Sequence, residues 1–375
     1  MQHFCVRQIT HRLSEGDPAL NKTEARSNRQ QVSPLVIGVE FGHANITGAL
    51  INERARVLAR RRIETPKRTT RAAVESIANL ILGVASAKER ENGLISAVGI
   101  SVPGLIDPPT ERVTIPDLKG WTRVALRQLV EKGLSDSGHD IRTPINERRA
   151  RAQHSTSSHP LISIHSQVAC LTASESWSGS AKGKKNVVYI FLDEEIKVGI
   201  LADGRILQGS SGEAGAASWL SLSENFKQEY GARGCLATEA GAGSLARRAI
   251  EGWSGGLSSL LSSLIKADPT QLDAPTIIRA ARGGDALALQ VINETCSWIG
   301  RGIANLISVL NPDVVVIGGE LGSSLQPFLD EIREVVRLWA SPAALKQCRI
   351  VNAALGENAG VLGAAHLARQ RQENA

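Results

Sequence analysis

Apolar and polar positions alternate along this chain in two similar passages separated by polar sequence. The run Leu35-Val36-Ile37-Gly38-Val39-Glu40-Phe41-Gly42 predicts a strand running into a turn, and Ile46 to Leu50 and Arg56 to Arg62 predict two more strands of a meander. A helical period follows over 70–88, with Ala73, Ile77, Leu80, Ile81 and Val84 on one face, and it leads to the buried strand Ile95 to Ile100. The second passage repeats this opening: a strand Val187 to Leu192, another from Lys197 to Leu201, and a hairpin turn at Asp203-Gly204. A long helix over Ala286 to Leu310, stopped by Asn311-Pro312, feeds the strand Val314 to Ile317 and the turn Gly318-Gly319. A last helix around Gly360 to Arg369 carries Val361, Ala365 and Leu367 on its apolar face.

Two segments stand outside this pattern. Residues 1–35 are polar and irregular after a short helical stretch, Val6 to Leu13, which Gly16-Asp17-Pro18 ends. From Gly133 to His159 charged and polar residues dominate, so this reads as an exposed insertion without a core of its own. The expected organisation is an N-terminal extension (1–35), a first α/β lobe (36–165) with its insertion near 133–159, a second α/β lobe (166–354), and a C-terminal helix (355–375) packing back on the first lobe. The long helix, with Val291, Ile292, Cys296, Trp298, Ile299, Ile303 and Leu306, has more apolar surface than one face needs, so part of it is expected against another subunit.

Composition narrows the function classes. A chain of 375 residues exceeds one usual core, and its 35 glycines suit an α/β protein with many tight turns. Five Phe and two Tyr leave little for stacking unpaired bases. The net charge of +6 is spread thinly, and Arg60-Arg61-Arg62 and Arg148-Arg149 with Arg151 read as solvated faces. The cysteines Cys5, Cys170, Cys235, Cys296 and Cys348 are odd in number and far apart, the usage of reduced thiols. With no apolar run of membrane-spanning length and no apolar leader after Met1, the chain reads as cytoplasmic, with no membrane partner.

The ordered motifs Ser101-Val102-Pro103-Gly104, Asp107-Pro108, Leu118-Lys119-Gly120-Trp121, Asp203-Gly204, Gly209-Ser210-Ser211-Gly212, Gly231-Ala232-Arg233-Gly234-Cys235-Leu236, Asn311-Pro312-Asp313 through Gly318-Gly319, and Leu355-Gly356-Glu357-Asn358-Ala359-Gly360 resemble the ROK family of sugar kinases and sugar-responsive repressors over residues 35–370. The resemblance implies an actin-like, ribonuclease-H-like ATPase fold with two lobes around a cleft for sugar and ATP, assembled as dimers or tetramers.

Carried over position by position, it also implies losses. The first phosphate motif, an aspartate followed by paired glycines and Thr-Lys, becomes Glu40, Phe41, Gly42, His43, Ala44 and Asn45, in which Glu40 either caps a strand or retains magnesium or phosphate handling. The second phosphate loop is replaced by Asp193-Glu194-Glu195-Ile196-Lys197-Val198-Gly199, three carboxylates that repel anionic oxygens. Gln167 falls where the family keeps its catalytic Asp, and an amide cannot accept a sugar proton. His165, two residues off register, is a substitute by its ordinary pKa, and Asn146-Glu147 offers a rival alignment that restores a carboxylate. The sugar-contacting Glu and His segment corresponds to Gly215-Ala216-Ala217-Ser218-Trp219, and the zinc segment to Gln228 through Cys235, where one thiol cannot hold structural zinc.

Gly42, Gly318 and Gly319 remain as nucleotide-side positions, although glycines at a strand-to-helix crossover also have a purely geometric use. Asp117, Trp121 and Gln167 are expected to line the ligand side. The resulting expectation is a noncatalytic, transcriptional-regulator-like pseudokinase that binds a small polar ligand or sugar, with no cofactor, no metal and no catalytic residue, and that forms a homo-oligomer. The alternative is an ATP-dependent sugar kinase with displaced catalytic residues. Thr10-His11-Arg12-Leu13 resembles the end of the winged helix-turn-helix of ROK repressors, so a third reading keeps DNA as a partner through a remnant of that head.

Overall fold

The computed structural model describes residues 34–67, 69–87, 93–138, 141, 160–254 and 259–374. The helical stretch expected at Val6 to Leu13, the pair Asn146-Glu147 and most of the 133–159 insertion lie outside them.

Among the described residues the strands are β1 (Pro34–Phe41), β2 (Asn45–Asn52), β3 (Val57–Glu64), β4 (Leu94–Val102), β5 (Leu105–Asp107), β6 (Arg112–Thr114), β7 (Leu161–Ser166), β8 (Val187–Leu192), β9 (Ile196–Ala202), β10 (Arg205–Ile206), β11 (Val314–Gly318) and β12 (Arg349–Asn352). Helices of eight residues or more are α1 (Thr70–Ala85), α2 (Leu126–Asp136), α3 (Gln167–Ser178), α4 (Ala242–Ser254), α5 (Ala274–Arg282), α6 (Ala286–Leu310), α7 (Leu329–Trp339) and α8 (Ala359–Glu373). None is long and apolar enough to cross a membrane.

The two large sheets share one topology. The first runs β3-β2-β1-β4-β7 and the second β10-β9-β8-β11-β12. In each, three strands form an antiparallel meander, and two more add in parallel to the first strand of that meander. This doubled arrangement is the actin-like fold, with one sheet per lobe.

Strand alternation decides what each sheet face covers. Leu35, Ile37, Val39 and Phe41 of β1 join Ile77, Ile81 and Val84 of α1 and Leu126, Val130 and Leu134 of α2 in one core. The other face takes α8, where Val361, Leu362 and Ala365 meet Val36, Ala49 and Ala97. Only glycine allows this approach, since a methyl group on Gly38 would lie 1.9 Å from the Val361 carbonyl oxygen. In the second lobe, Val188, Ile190, Leu192, Val315 and Ile317 pack against the helical layer that contains α6, while Tyr189, Val314 and Val316 face α3 and the start of α8. Helices α3 and α8, packed on each other, are therefore held between the two sheets.

Two expectations change here. Residues 133–136 complete α2, and Leu134 and Ile141 are buried, so the polar segment begins later than its composition suggests. The apolar surplus of α6 is consumed inside the chain. Val291, Ile292, Cys296, Ile299 and Ile303 are buried in the second-lobe core, and Trp298 and Leu306 pack partly against it. A buried helix is apolar on several faces for that reason, so its composition carries no argument for a subunit contact.

Candidate functional site

The positions singled out by the resemblance fall at the ends of β1 and β4, the first turns of α3 and α8, and the β8–β9 turn. Strand β1 ends in a tight turn closed by the Gly42 amide donating to the Asn45 carbonyl at 2.9 Å, with the Thr65 hydroxyl donating to the Gly42 carbonyl at 2.7 Å. Trp121 buttresses this turn. Its ring stacks on Phe41 at a centroid distance of 4.7 Å and is 3% exposed, so its face is taken by a core contact, while Asp117 is exposed nearby in sequence.

Glu40 and Gln167 meet. The Gln167 side chain lies beside the Glu40 carboxylate and favours its charged form, as do Arg60 and Arg62, whereas Glu357 opposes it. Burial pushes the Glu40 carboxyl above the usual carboxylate range against the pull of Arg60, of Gln167 and of Arg62. The carboxylate lies on the first turn of α8, because a methyl group on Gly360 would be 2.3 Å from its carboxyl carbon. Just ahead of that turn, Glu357 pairs with Arg60 at 3.0 Å and with Arg62 at 3.7 Å. Ser101 is Glu40's partner in the β1–β4 register, and the Cys170 thiol beside it is pushed up to about 12 by burial.

His165 is not part of this group. It is half-buried, its Nε2 lies 2.9 Å from the Ser163 hydroxyl, and its charged neighbours are Arg371 and Glu111. Burial, with Arg371, lowers its pKa to about 4, which leaves a neutral imidazole at pH 7.

Gly318 and Gly319 end β11 against the β8 strand. A methyl group on Gly318 would lie 2.0 Å from the Tyr189 hydroxyl, and one on Gly319 would lie 2.3 Å from the Leu192 carbonyl oxygen. Gly319 has φ +89°, a conformation that L side chains rarely adopt. Both glycines thus have a complete geometric reason.

The acidic turn 193–195 is partly neutralised locally. Glu195 pairs with Lys197, Glu194 pairs with Arg233 at 3.4 Å, and the Ala242 amide at the start of α4 donates to the Asp193 carbonyl at 3.0 Å.

Beyond the sugar-segment position, Trp219 is 57% exposed in a short 3₁₀ turn. The segment aligned with the zinc loop is organised by a carboxylate. Buried Glu239 accepts from Lys227 at 2.5 Å, Tyr230 at 2.6 Å, Arg247 at 3.3 Å and Arg248 at 3.0 Å. Trp219, Gln228, Tyr230 and Cys235 are not a tetrahedral donor set, and no group of three or more His, Cys, Asp or Glu suited to a metal occurs among the described residues.

One buried carboxylate escaped the sequence reading as a structural post. Glu175 of α3 accepts from the amide and hydroxyl of Ser180 at 2.7 and 2.9 Å and from the amides of Ala354 and Leu355 at 2.9 and 3.1 Å. It ties α3 to the segment leading into α8.

The ROK family model matches residues 36–137 and 155–371. A glucokinase of Halalkalibacterium halodurans is 28% identical over 341 residues, 90% of this chain and 96% of that protein. The DNA-binding transcriptional dual regulator NagC of Escherichia coli is 24% identical over 342 residues, 90% of this chain and 76% of that protein. Among solved structures, a ROK family transcriptional regulator described as a homologue of E. coli MLC superposes with a TM-score of 0.73 at 20% identity, covering 91% of this chain and 78% of its own.

Proposed function

The chain belongs to the ROK family, and we propose that it is a noncatalytic member, a regulatory protein whose cleft senses a small polar ligand, with sugars as the first class to test. The observation that carries this reading is Gln167. It stands at the start of α3, where the family resemblance puts the proton acceptor, and its side-chain amide lies beside Glu40. Phosphoryl transfer to a hydroxyl needs that acceptor and in-line positioning, and an amide at neutral pH supplies no acceptor. Ligand recognition needs neither. Both kinases and repressors stand among the relatives, and the repressor relatives support a regulatory role.

Calorimetric titration with magnesium-bound ATP and a panel of sugars and sugar phosphates, coupled to detection of ADP, tests the reading. Sugar binding without ADP release is the expected result, and substrate-dependent ADP release overturns it.

A second reading, an ATP-dependent sugar kinase, is favoured by one specific feature. Glu40 is a carboxylate in contact with Gln167, and its burial raises its proton affinity, as a displaced base would require. In that reading Glu40→Gln abolishes ADP release that the parent shows. Self-association belongs to the first reading and is supported by the exposed apolar side chains Val309, Leu338 and Trp339 at the C-terminal ends of α6 and α7.

A further inference from the structure

We infer that the loop 207–215 is a latch between the two lobes: its tip, Gly212, seats on the Ile106 carbonyl of the β5–β6 hairpin and closes a ring of contacts beside Glu40 and Gln167. The inference rests on the reading above only in taking those two side chains as the ligand side, and the latch itself is a property of the chain alone.

The ring begins in the first sheet. Ser101 pairs with Glu40 on one side and with His165 on the other, and β7 runs straight into α3 at Gln167. At the next residue, Val168, the second lobe leans on α3. A methyl group on Gly199 of β9 would lie 2.4 Å from the Val168 carbonyl oxygen and 1.9 Å from the Thr172 hydroxyl. From β9 the chain passes through β10 into the loop, and both feet of the loop stand on β9. The Leu207 amide donates to the Ile200 carbonyl at 2.9 Å, and the Val198 amide donates to the Gly215 carbonyl at 2.8 Å. The Ala214 amide closes the base of the loop on the Gln208 carbonyl at 3.1 Å.

The tip crosses to the first lobe. Gly212 has φ +81°, and a methyl group there would lie 2.3 Å from the Ile106 carbonyl oxygen and 3.6 Å from the Pro108 ring. Ile106 belongs to β5, which follows Ser101 and the end of β4 in the chain, so the ring is closed. The hairpin is anchored in its own lobe. Val113 of β6, the partner of Ile106, exchanges hydrogen bonds with Val124 at 2.9 and 2.8 Å, and the Ile115 amide donates to the carbonyl of Trp121, whose ring stacks on Phe41.

Among the described residues no hydrogen bond or ion pair joins the loop to the hairpin. Each side is hydrogen-bonded within its own lobe, whereas the joint at Gly212 is van der Waals contact alone, whose individual terms are small. The ring therefore parts at this joint before either anchor gives way. On the other side the lobes stay connected through α3 and α8, which supply the hinge. Separation of the lobes beside Glu40 and Gln167, and ligand exchange there, thus follow the seating of residue 212. A side chain at that position meets a carbonyl held in the β5–β6 ladder and must lift the tip.

The test measures distances by electron–electron double resonance in the full chain, with Cys5 and Cys348 replaced by serine; Cys170, Cys235 and Cys296 are buried. Nitroxides on Ser210→Cys and Lys119→Cys read the latch, and nitroxides on Arg279→Cys and Lys132→Cys read the lobe separation, all at exposed positions. One narrow distance per pair is expected in the parent. Gly212→Leu is expected to broaden both and lengthen them by about 2 Å or more, since a side-chain carbon needs about 3.5 Å from its neighbours. Gly204→Leu is the control: Gly204 has φ +78°, but a methyl group there meets nothing within 4 Å, so both distances should stay as in the parent. A broad latch distance in the parent overturns the inference, as does a folded Gly212→Leu with unchanged distances or a control that shifts them equally. A longer latch distance with unchanged lobe separation makes the loop a flap on one lobe and overturns it too. Should circular dichroism show Gly212→Leu unfolded, Gly212→Ala takes its place and the same direction is required of it. ADP release in the titration described above overturns the noncatalytic reading and leaves these distances unaffected.

Discussion

Glu239 and Arg248 form an ion pair at 3.0 Å with side chains only 4% and 7% exposed. Arg248 also donates to the Thr295 hydroxyl at 3.1 Å and pairs with Glu294 at 3.4 Å, so the pair joins the segment after Lys227 to the long helix α6. A charge buried this deeply is tolerated only because each oxygen has donors, and removing one partner strands the rest.

Glu239→Gln is therefore expected to lower stability by about 3 kcal/mol, read as a shift of the urea midpoint. Burial pushes the Glu239 carboxyl up, but hydrogen bonds from Lys227 and Tyr230 and the charges of Lys227 and Arg247 together hold it down at about 2. A carboxyl whose folded pKa is depressed contributes stability above its unfolded pKa and loses it as pH falls through the folded one. The parent should thus lose more stability than Glu239→Gln between about pH 4 and pH 2. Equal acid slopes for the two proteins would contradict this.

The fold was largely legible because apolar period and turn residues agree along most of the chain. The runs at Leu35 and Val187 gave strands at Pro34–Phe41 and Val187–Leu192, and the Asn311-Pro312 stop fell at the end of α6. The expected strand Arg56 to Arg62 was also found, at Val57–Glu64, although its arginines lie on an exposed edge. The pattern could not show which apolar residues of α6 face their own lobe, since burial on several sides and a subunit contact give the same composition. Contacts between distant positions were equally hidden. Nothing in the spacing of Glu40, Gln167 and Gly360 says that their side chain, amide and backbone converge. The packing of Trp121 on Phe41 is a rotamer-level fact that the Leu-Lys-Gly-Trp motif does not carry.

Gly319→Ala separates a geometric role from a nucleotide role. With φ +89° and a methyl group forced to 2.3 Å from the Leu192 carbonyl oxygen, alanine has both backbone strain and a clash with main chain that cannot swing away. A loss of about 2 kcal/mol or more is expected in the absence of any ligand. An unchanged denaturation midpoint would mean that the β11 turn relaxes freely.

Val309, Leu338 and Trp339 are 80%, 81% and 64% exposed. The ends of α6 and α7 are joined by the Ser341 amide donating to the Ser308 hydroxyl at 3.0 Å, so these side chains project from a fixed corner. Apolar side chains grouped in this way favour burial against a like surface. Sedimentation of the parent is expected to give a dimer or larger species, and Leu338→Lys with Trp339→Lys is expected to shift it toward the monomer without lowering the denaturation midpoint. A parent that is monomeric at tens of micromolar would rule out this surface as a self-association site.

Gln167→Asp tests the contact at the centre of the site. The substitution restores the residue type that the family resemblance places there, but in this chain it also puts a second carboxylate against Glu40, whose proton affinity burial has already raised. Two neighbouring carboxylates cannot both ionise cheaply, so one of the pair should titrate well above the ordinary range. A folded pKa raised above the unfolded value supplies stability at low pH that is lost as pH rises through it. The variant is therefore expected to be close to the parent in stability near pH 5 and less stable by about 1–2 kcal/mol near pH 8. It should also release no ADP with glucose, because the like-charged neighbour holds the new aspartate protonated or displaced. Parallel stability profiles for parent and variant across this range would show that Glu40 and residue 167 do not interact, and sugar-dependent ADP release by the variant would show that a single carboxylate was all the site lacked.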